Sequence, residues 1–255
     1  MAFAPVQRAR SSLPDFVTNF TPADRSRSGL FIVLEGGEGV GKTTQWQRLA
    51  AALGAGGTEV VALREPGGTP AGDEIRRMLL DPRSELAPES EALLFAASRA
   101  QLVRDVIVPA LERDAIVLVD RFLLSTYAYQ GAGRELPMGA LQAANHFATG
   151  GLAPDATLLL TMPLDDAMAR MRSRGETDRL EREGSDFHRR VHAAFVAAVD
   201  PRWQQRHPEI GPVFPIDASG SPDTVTTRCL EQLAASCPTR FAGSIAGAMP
   251  GAMHG

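Results

Sequence analysis

At 255 residues and 44% hydrophobic content, the chain can bury a substantial core as a single α/β unit. A net charge of −4 excludes a fold that draws nucleic acid by its overall field, so phosphate affinity has to come from local arginines. No apolar stretch reaches the roughly 20 residues of a membrane helix, and two late cysteines without metal-ligand neighbours, Cys229 and Cys237, fit a reducing cytoplasmic setting.

Residues 1–28 carry Arg8, Arg10, Arg25 and Arg27 among serines and prolines, without a sustained period or the apolar centre of a secretory signal. They read as a disordered extension, and 241–255, rich in Gly, Ala, Met and Pro, as a disordered tail. Between them, from 29 to 240, apolar strand-like runs alternate with helical ones, the pattern of an α/β domain whose parallel sheet is covered on both faces. The strands are expected at 30–35, 59–63, 115–119, 156–161 and 213–216.

The first strand breaks into Gly-Gly-Glu-Gly-Val-Gly-Lys-Thr-Thr, residues 36–44. Gly36, Gly41, Lys42 and Thr43 satisfy the phosphate-loop pattern G-x-x-x-x-G-K-[ST]. Small residues at Gly36, Gly37, Gly39 and Gly41 let consecutive backbone N–H groups turn inward around an anion. Lys42 adds a cation for the β and γ phosphates, and Thr43 a hydroxyl for Mg²⁺. Trp46, Leu49, Ala50 and Leu53 then recur at helical spacing, so a helix N-terminus also faces the anion. Strand, loop and helix in this order predict a three-layer phosphate-loop nucleoside-triphosphatase fold, its five-stranded parallel sheet flanked by helices, that handles nucleoside triphosphates.

Further along, Thr69-Pro70 opens a helix running to about Leu80, and Pro88 opens a long one that Pro109 bends or ends. Ser221-Pro222-Asp223 opens the last, with Val225, Cys229 and Leu233 facing inward. Ligands of such sheets collect at the carboxyl ends of the strands. There stand Glu35 to Glu38, Arg64-Glu65-Pro66-Gly67-Gly68 and Asp120-Arg121-Phe122. Asp120 ends its strand where phosphate-loop enzymes place a carboxylate that serves Mg²⁺, and Arg121 sets a planar fork over the same crevice. Phe95 and Arg99 share a helical face that offers an aromatic surface and a guanidinium to a flat heterocycle, and Ser125 and Tyr129, followed by Gln130, repeat that spacing.

Glu-Gly-Gly-Glu-Gly-Val-Gly-Lys-Thr-Thr, Arg-Glu-Pro-Gly-Gly-Thr, the Phe95–Arg99 pair and Asp-Arg-Phe-Leu-Leu-Ser-Thr-Tyr-Ala-Tyr-Gln from Asp120 together resemble thymidylate kinase, from about Leu30 to Leu233. The resemblance implies transfer of a phosphoryl group from ATP to dTMP, a step of dTTP synthesis, by a magnesium-dependent cytoplasmic homodimer. It implies that loop residues Gly36 to Thr44, including Val40 and Thr44, hold ATP, and that Glu38 also holds the acceptor's 3′-hydroxyl. Phe95 would stack on thymine, Arg99 bond its carbonyl edge, and Arg121 grip the acceptor phosphate. Tyr129 would sit against the 2′ carbon with Thr126 and Gln130 nearby, and the Arg64–Gly68 segment would wall the pocket.

The phosphate loop has no arginine between Gly37 and Val40, whereas residues 170–182 hold Arg170, Arg172, Arg174, Arg179 and Arg182 around Gly175. This is read as an arginine-rich lid, about 172–184, that closes over the donor, with Arg174 as the cation that reaches the phosphates. The other lid arginines are expected to pair with Glu176, Asp178, Glu181 and Glu183. His188 and His192 are assigned to a polar helix face, and no histidine clusters with carboxylates at metal-ligand spacing. Two other readings stand beside the main one: a kinase for another nucleotide or deoxynucleoside, and a nucleotide-binding regulator that has lost transfer.

Overall fold

The computed structural model describes residues 27–174 and 178–241, without the side chain of Arg174. The expected disorder of 1–26 and 242–255, the part of the expected lid at 175–177 with the pairing partner Glu176, and the reach of Arg174 lie outside this set.

Period-two alternation along the strands decides the architecture. In β1 (Leu30–Glu35), Phe31 and Val33 enter one core while Leu30, Ile32 and Leu34 enter another. A strand with both faces apolar has to be covered twice, and it is. β1 is flanked by β3 (Ile116–Asp120) and β4 (Ala156–Thr161), with β2 (Val60–Arg64) and β5 (Val213–Asp217) at the edges. The five strands are parallel in the order β2-β3-β1-β4-β5. Relative to the expected bounds, β2 and β3 sit one residue later, which brings Arg64 and Asp120 into the sheet as a registered pair.

Between the strands run α1 (Lys42–Gly54), α2 (Pro70–Leu80), α3 (Pro88–Leu102), α4 (Val108–Glu112), α5 (Leu123–Thr126), α6 (Met138–Thr149), α7 (Leu164–Arg174), α8 (Ser185–Ala197), α9 (Pro201–Arg206), α10 (Pro222–Ser236) and α11 (Pro238–Phe241). α1 and α10 cover one face through Leu49, Leu53, Val225, Cys229 and Leu233, as the spacing of the last helix predicts. The long α3–α4 rod, α5, α6 and α8 cover the other. The N-caps of α2 and α10 are Thr69 and Ser221, whose side chains accept from Gly72 N and Thr224 N.

Pro109 neither ends nor isolates its helix. A π-helical turn, Val103–Ile107, links α3 to α4, and Pro109 stands in the first turn of the new segment, where its missing N–H leaves no gap. A second π turn, Tyr127–Gly133, follows α5.

His188 is not on a polar face. It is buried beside Phe187, with ring centroids 5.6 Å apart, because α8 presses Phe187, Val191 and Phe195 into the core. His192 is half-buried. At the domain ends, Arg27, grouped by sequence with the extension, donates to Ala153 O at 2.9 Å and to Asp155 at 3.1 Å. Phe241, grouped with the tail, is buried against the core that α10 closes.

Asp155 also accepts Phe31 N at 2.7 Å, beyond the point where β4 begins to pair with β1. Asp155→Ala should strand that N–H and cost about 1–3 kcal/mol. Urea unfolding should show the loss as a lower midpoint at unchanged slope.

Candidate active site

β1 delivers the chain into the phosphate loop, whose inward turn depends on glycine. At Gly39 (φ 76°) a Cβ would stand 1.9 Å from Ala167 O, so no side chain fits between the loop and α7. Gly41, at φ 92°, ends the loop and starts α1. Lys42 is buried and its ammonium donates to Gly37 O at 2.6 Å, folding back over the loop, while Thr43 and Thr44 are exposed at the helix start.

The neighbouring strand β3 delivers Asp120 and Arg121 to the same edge, since Leu34 pairs with Asp120. The chain then has to reverse, and Arg121 adopts a left-handed conformation at φ 72°, unfavourable for a residue with a side chain. Glu35 holds this corner. Its fully buried carboxylate accepts Phe122 N at 2.8 Å, Ser125 N at 3.0 Å and Ser125 Oγ at 2.6 Å, capping α5. Burial raises the Glu35 carboxyl above its usual range, opposed by the Ser125 hydroxyl, the Arg121 charge and the two N–H groups.

Arg121 then lies across the crevice. Nη1 donates to Gly36 O at 3.1 Å and Ser125 Oγ at 3.2 Å, Nη2 pairs with Glu38, and the guanidinium carbon is 4.9 Å from the Tyr129 ring centroid. The Tyr129 hydroxyl donates to the same Glu38 oxygen at 2.7 Å. Burial opposes the Arg121 charge, but Glu38, Tyr129, Asp120 and Glu35 outweigh it and hold the proton more firmly than usual. Burial also lifts the Tyr129 phenol well above its normal range, with Glu38 adding to the rise and Arg121 opposing it. Asp120 is buried, with Oδ2 at 3.5 Å from Arg64 Nε and Oδ1 without a hydrogen-bond partner.

α3 and the β2 end form the far wall. Half-buried Phe95 lines the cleft and packs on the core. Arg99 is almost fully buried: Nε donates to Glu65 at 2.8 Å, Nη1 to Thr126 at 3.0 Å and Asn145 at 2.7 Å, and Nη2 to Phe122 O at 3.0 Å. Burial pushes the Glu65 carboxyl up to about 7, against the pull of Arg99. The sequence reading gives Arg99 a ligand carbonyl to bond. Each of its nitrogens is engaged by the protein. The Arg64–Gly68 turn is pinned by Ser98 Oγ to Gly67 N (3.0 Å) and by Arg76 to Pro66 O (2.8 Å).

These parts enclose one cleft of about 750 Å³. Lys42, Thr43, Asp120 and Arg121 line it at the phosphate-loop end, and Phe95, Arg99, Thr126, Tyr129 and Gln130 at the other. Arg170, Ser173, Asp178, Leu180 and Glu181 line it from the α7–α8 side, where the lid is expected. Among the described residues no group of His, Cys, Asp and Glu could hold a metal by itself.

A profile of the thymidylate kinase family matches residues 34–207. The chain belongs to the thymidylate kinase family. It is 52% identical over 168 residues to a thymidylate kinase of Deinococcus radiodurans, covering 66% of this chain and 82% of the relative. It is 43% identical over 205 residues to a thymidylate kinase of Exiguobacterium, covering 80% and 93%. A Pseudomonas fluorescens thymidylate kinase is 51% identical over 171 residues, covering 67% and 81%.

Within this thymidylate kinase fold, several residues that shape the cleft escape the motif reading. Glu35 reads only as a polar residue past a strand, and Asn145 lies in a helix with no motif. Glu91 carries a usable signal, because Glu91, Phe95 and Arg99 follow one another at spacing four on one face of α3. The lid arginine Arg179 pairs with Glu91, outside its own segment, where the sequence suggests the neighbouring acids.

Glu35→Ala should leave Phe122 N and Ser125 N buried without an acceptor, a cost of about 1–3 kcal/mol for each. Chemical denaturation should show the loss, and turnover should fall with it because Arg121 is released.

Proposed function

We propose that this chain phosphorylates dTMP to dTDP with ATP as donor and Mg²⁺ as cofactor. One observation carries the reading: a single cleft places the phosphate loop and Lys42 at one end and Phe95, Tyr129 and Gln130 at the other, with Arg121 between. The relatives named thymidylate kinase give the acceptor its identity.

In this reading the donor triphosphate lies in the loop from Gly36 to Thr44, with Lys42 against its β and γ phosphates and Arg174 closing from the lid. The acceptor's base stacks on Phe95 beside Arg99 and Thr126. Its phosphate takes Arg121 from Glu38, and Glu38 is released to accept a sugar hydroxyl. Tyr129, held by Glu38 and stacked under Arg121, leaves little room at the 2′ carbon. The attacking atom is a phosphate oxygen, anionic near neutral pH, so the site needs cations and alignment and no general base. The unpartnered buried Oδ1 of Asp120 and the exposed Thr43 hydroxyl fit Mg²⁺ held partly through water and phosphate. Bound there, the ion would neutralise charge that develops on the transferred group.

A homodimer completes the proposal. α3 and α6 pack together and leave Leu93 62% and Phe147 73% exposed, apolar surface that a second copy would cover. Among the described residues no helix is long and apolar enough to cross a membrane, and a cytoplasmic enzyme is proposed.

Coupled ADP-release assays should show dTMP turned over well ahead of dUMP, dCMP and thymidine. Turnover of thymidine alone would overturn the role of Arg121. Lys42→Ala should reduce dTDP formation on the order of 10³-fold, the scale of losing a cation that stabilises the transferring phosphate.

Lys42 also predicts a pH dependence. Burial, reinforced by Arg121 and opposed by Glu38, Asp120 and Glu35, lowers its ammonium from 10.5 to about 8. The ligand-free protein therefore loses this charge as pH rises through about 8, while bound triphosphate favours keeping it. ATP affinity should weaken above that pH, and binding there should take up a proton. Calorimetry in buffers of different ionisation enthalpy measures both.

A further inference from the structure

One buried carboxylate ties together elements that the proposed mechanism treats separately. Glu91, in the first turn of α3, has no exposed surface. Its Oε1 accepts Gln130 Nε2 at 2.8 Å and Arg134 Nε at 3.3 Å, and its Oε2 accepts Arg134 Nη2 at 2.9 Å and Arg179 Nη2 at 2.7 Å. Those donors come from the acceptor-pocket wall, from the end of the second π turn and from the lid. Arg179 further donates from Nε to Leu79 O at 2.8 Å, and Arg134 pairs with Glu183 at 2.7 Å, so both ends of the segment 178–183 are fastened. Leu180 and Glu181 of that segment line the cleft, as does Gln130.

The chemistry makes this arrangement directional. A carboxylate only accepts, so it holds the nitrogen of the Gln130 amide and fixes which end of that side chain faces it. Two guanidiniums on one carboxylate are each charge-assisted, and removal of the carboxylate sets two cations face to face. Asp178, Glu181 and Glu183 are within reach in sequence, yet Arg179 leaves them for a residue on α3.

We infer that Glu91 is a positioning residue that couples the docked lid to the acceptor pocket, fixing Arg179 on one side and the Gln130 amide on the other. Binding of the acceptor and docking of segment 178–183 are then linked through a single side chain, and the coupling is reciprocal. The substrate in this inference rests on the proposed dTMP kinase reading. The lid coupling itself does not.

The test begins with ligand-free protein. In Glu91→Gln, hydrogen exchange of the amides in 178–183 should quicken, while the five strands keep wild-type protection. In assays, Glu91→Gln should raise KM for dTMP on the order of 10-fold and move KM for ATP less than about 2-fold, the sign of lost acceptor binding. Arg179→Leu should raise KM for dTMP in the wild-type background and have little further effect in Glu91→Gln, since the two act as one unit. Unchanged exchange in 178–183, or an equal Arg179→Leu effect in both backgrounds, overturns the inference. Should Glu91→Gln fail to fold, Arg179→Leu and Arg179→Lys decide it: Leu should raise KM for dTMP and Lys should restore most of it, and an unmoved KM in Leu overturns the coupling. If wild-type protein ignores dTMP, the substrate reading fails, and the exchange experiment still decides whether Glu91 holds the lid.

Discussion

The crevice depends on a carboxylate that never touches solvent. Glu35 closes the central strand and receives the two N–H groups that open the short helix after β3. Together with Arg121 N donating to Leu34 O at 3.0 Å, that acceptor turns the chain after Asp120 back over the phosphate loop. The cost is a desolvated carboxyl whose charge is supported by a hydroxyl, two amides and the Arg121 guanidinium. The gain is location, since Arg121, Ser125 and Tyr129 all follow from that corner. Arg121 accepts a disfavoured left-handed backbone as part of the same bargain.

Charges in the cleft alternate. Lys42, Arg121, Arg64 and Arg99 are interleaved with Glu38, Asp120, Glu35 and Glu65, so the charges of the cleft are largely neutralised from within. Arg64, Arg99 and Arg121 are each held in place by a carboxylate partner. Preorganisation of this kind spares the protein the reorganisation that solvated cations would need during transfer.

Much of this was written in the sequence. The unbroken apolar run from Leu30 to Leu34 announces a strand buried on both faces, and glycines at fixed offsets before Lys42 announce the loop. Phe95, Arg121, Tyr129 and Gln130 were found by helical spacing and by position at strand ends, and they do meet in one cleft. What stayed hidden depends on long-range partners. Arg99 is spoken for by Glu65, Thr126 and Asn145, which come from three separate segments. In sequence His188 is assigned to a polar face with His192 for want of a metal-ligand pattern, whereas the face that α8 turns to the core includes it. No local pattern says that Arg179 will choose Glu91, because that choice is made by how α3 and the lid are packed.

The second π turn sets the orientation of two pocket side chains. An α-helix advances about 100° per residue, so one extra residue within a turn re-aims everything around it. Between Tyr127 and Gly133 the wider turn lets Tyr129 lean on Glu38 while the adjacent Gln130 reaches Glu91, two separate anchors for side chains that line the cleft. Shortening this stretch by a single amino acid would restore ordinary helical winding and swing one of the pair away from its anchor. The loop length downstream could be adjusted to compensate for chain reach, but not for that rotation, so insertions and deletions are geometrically barred from this stretch even though it contains three of the smallest residues in the protein, Gly131, Ala132 and Gly133.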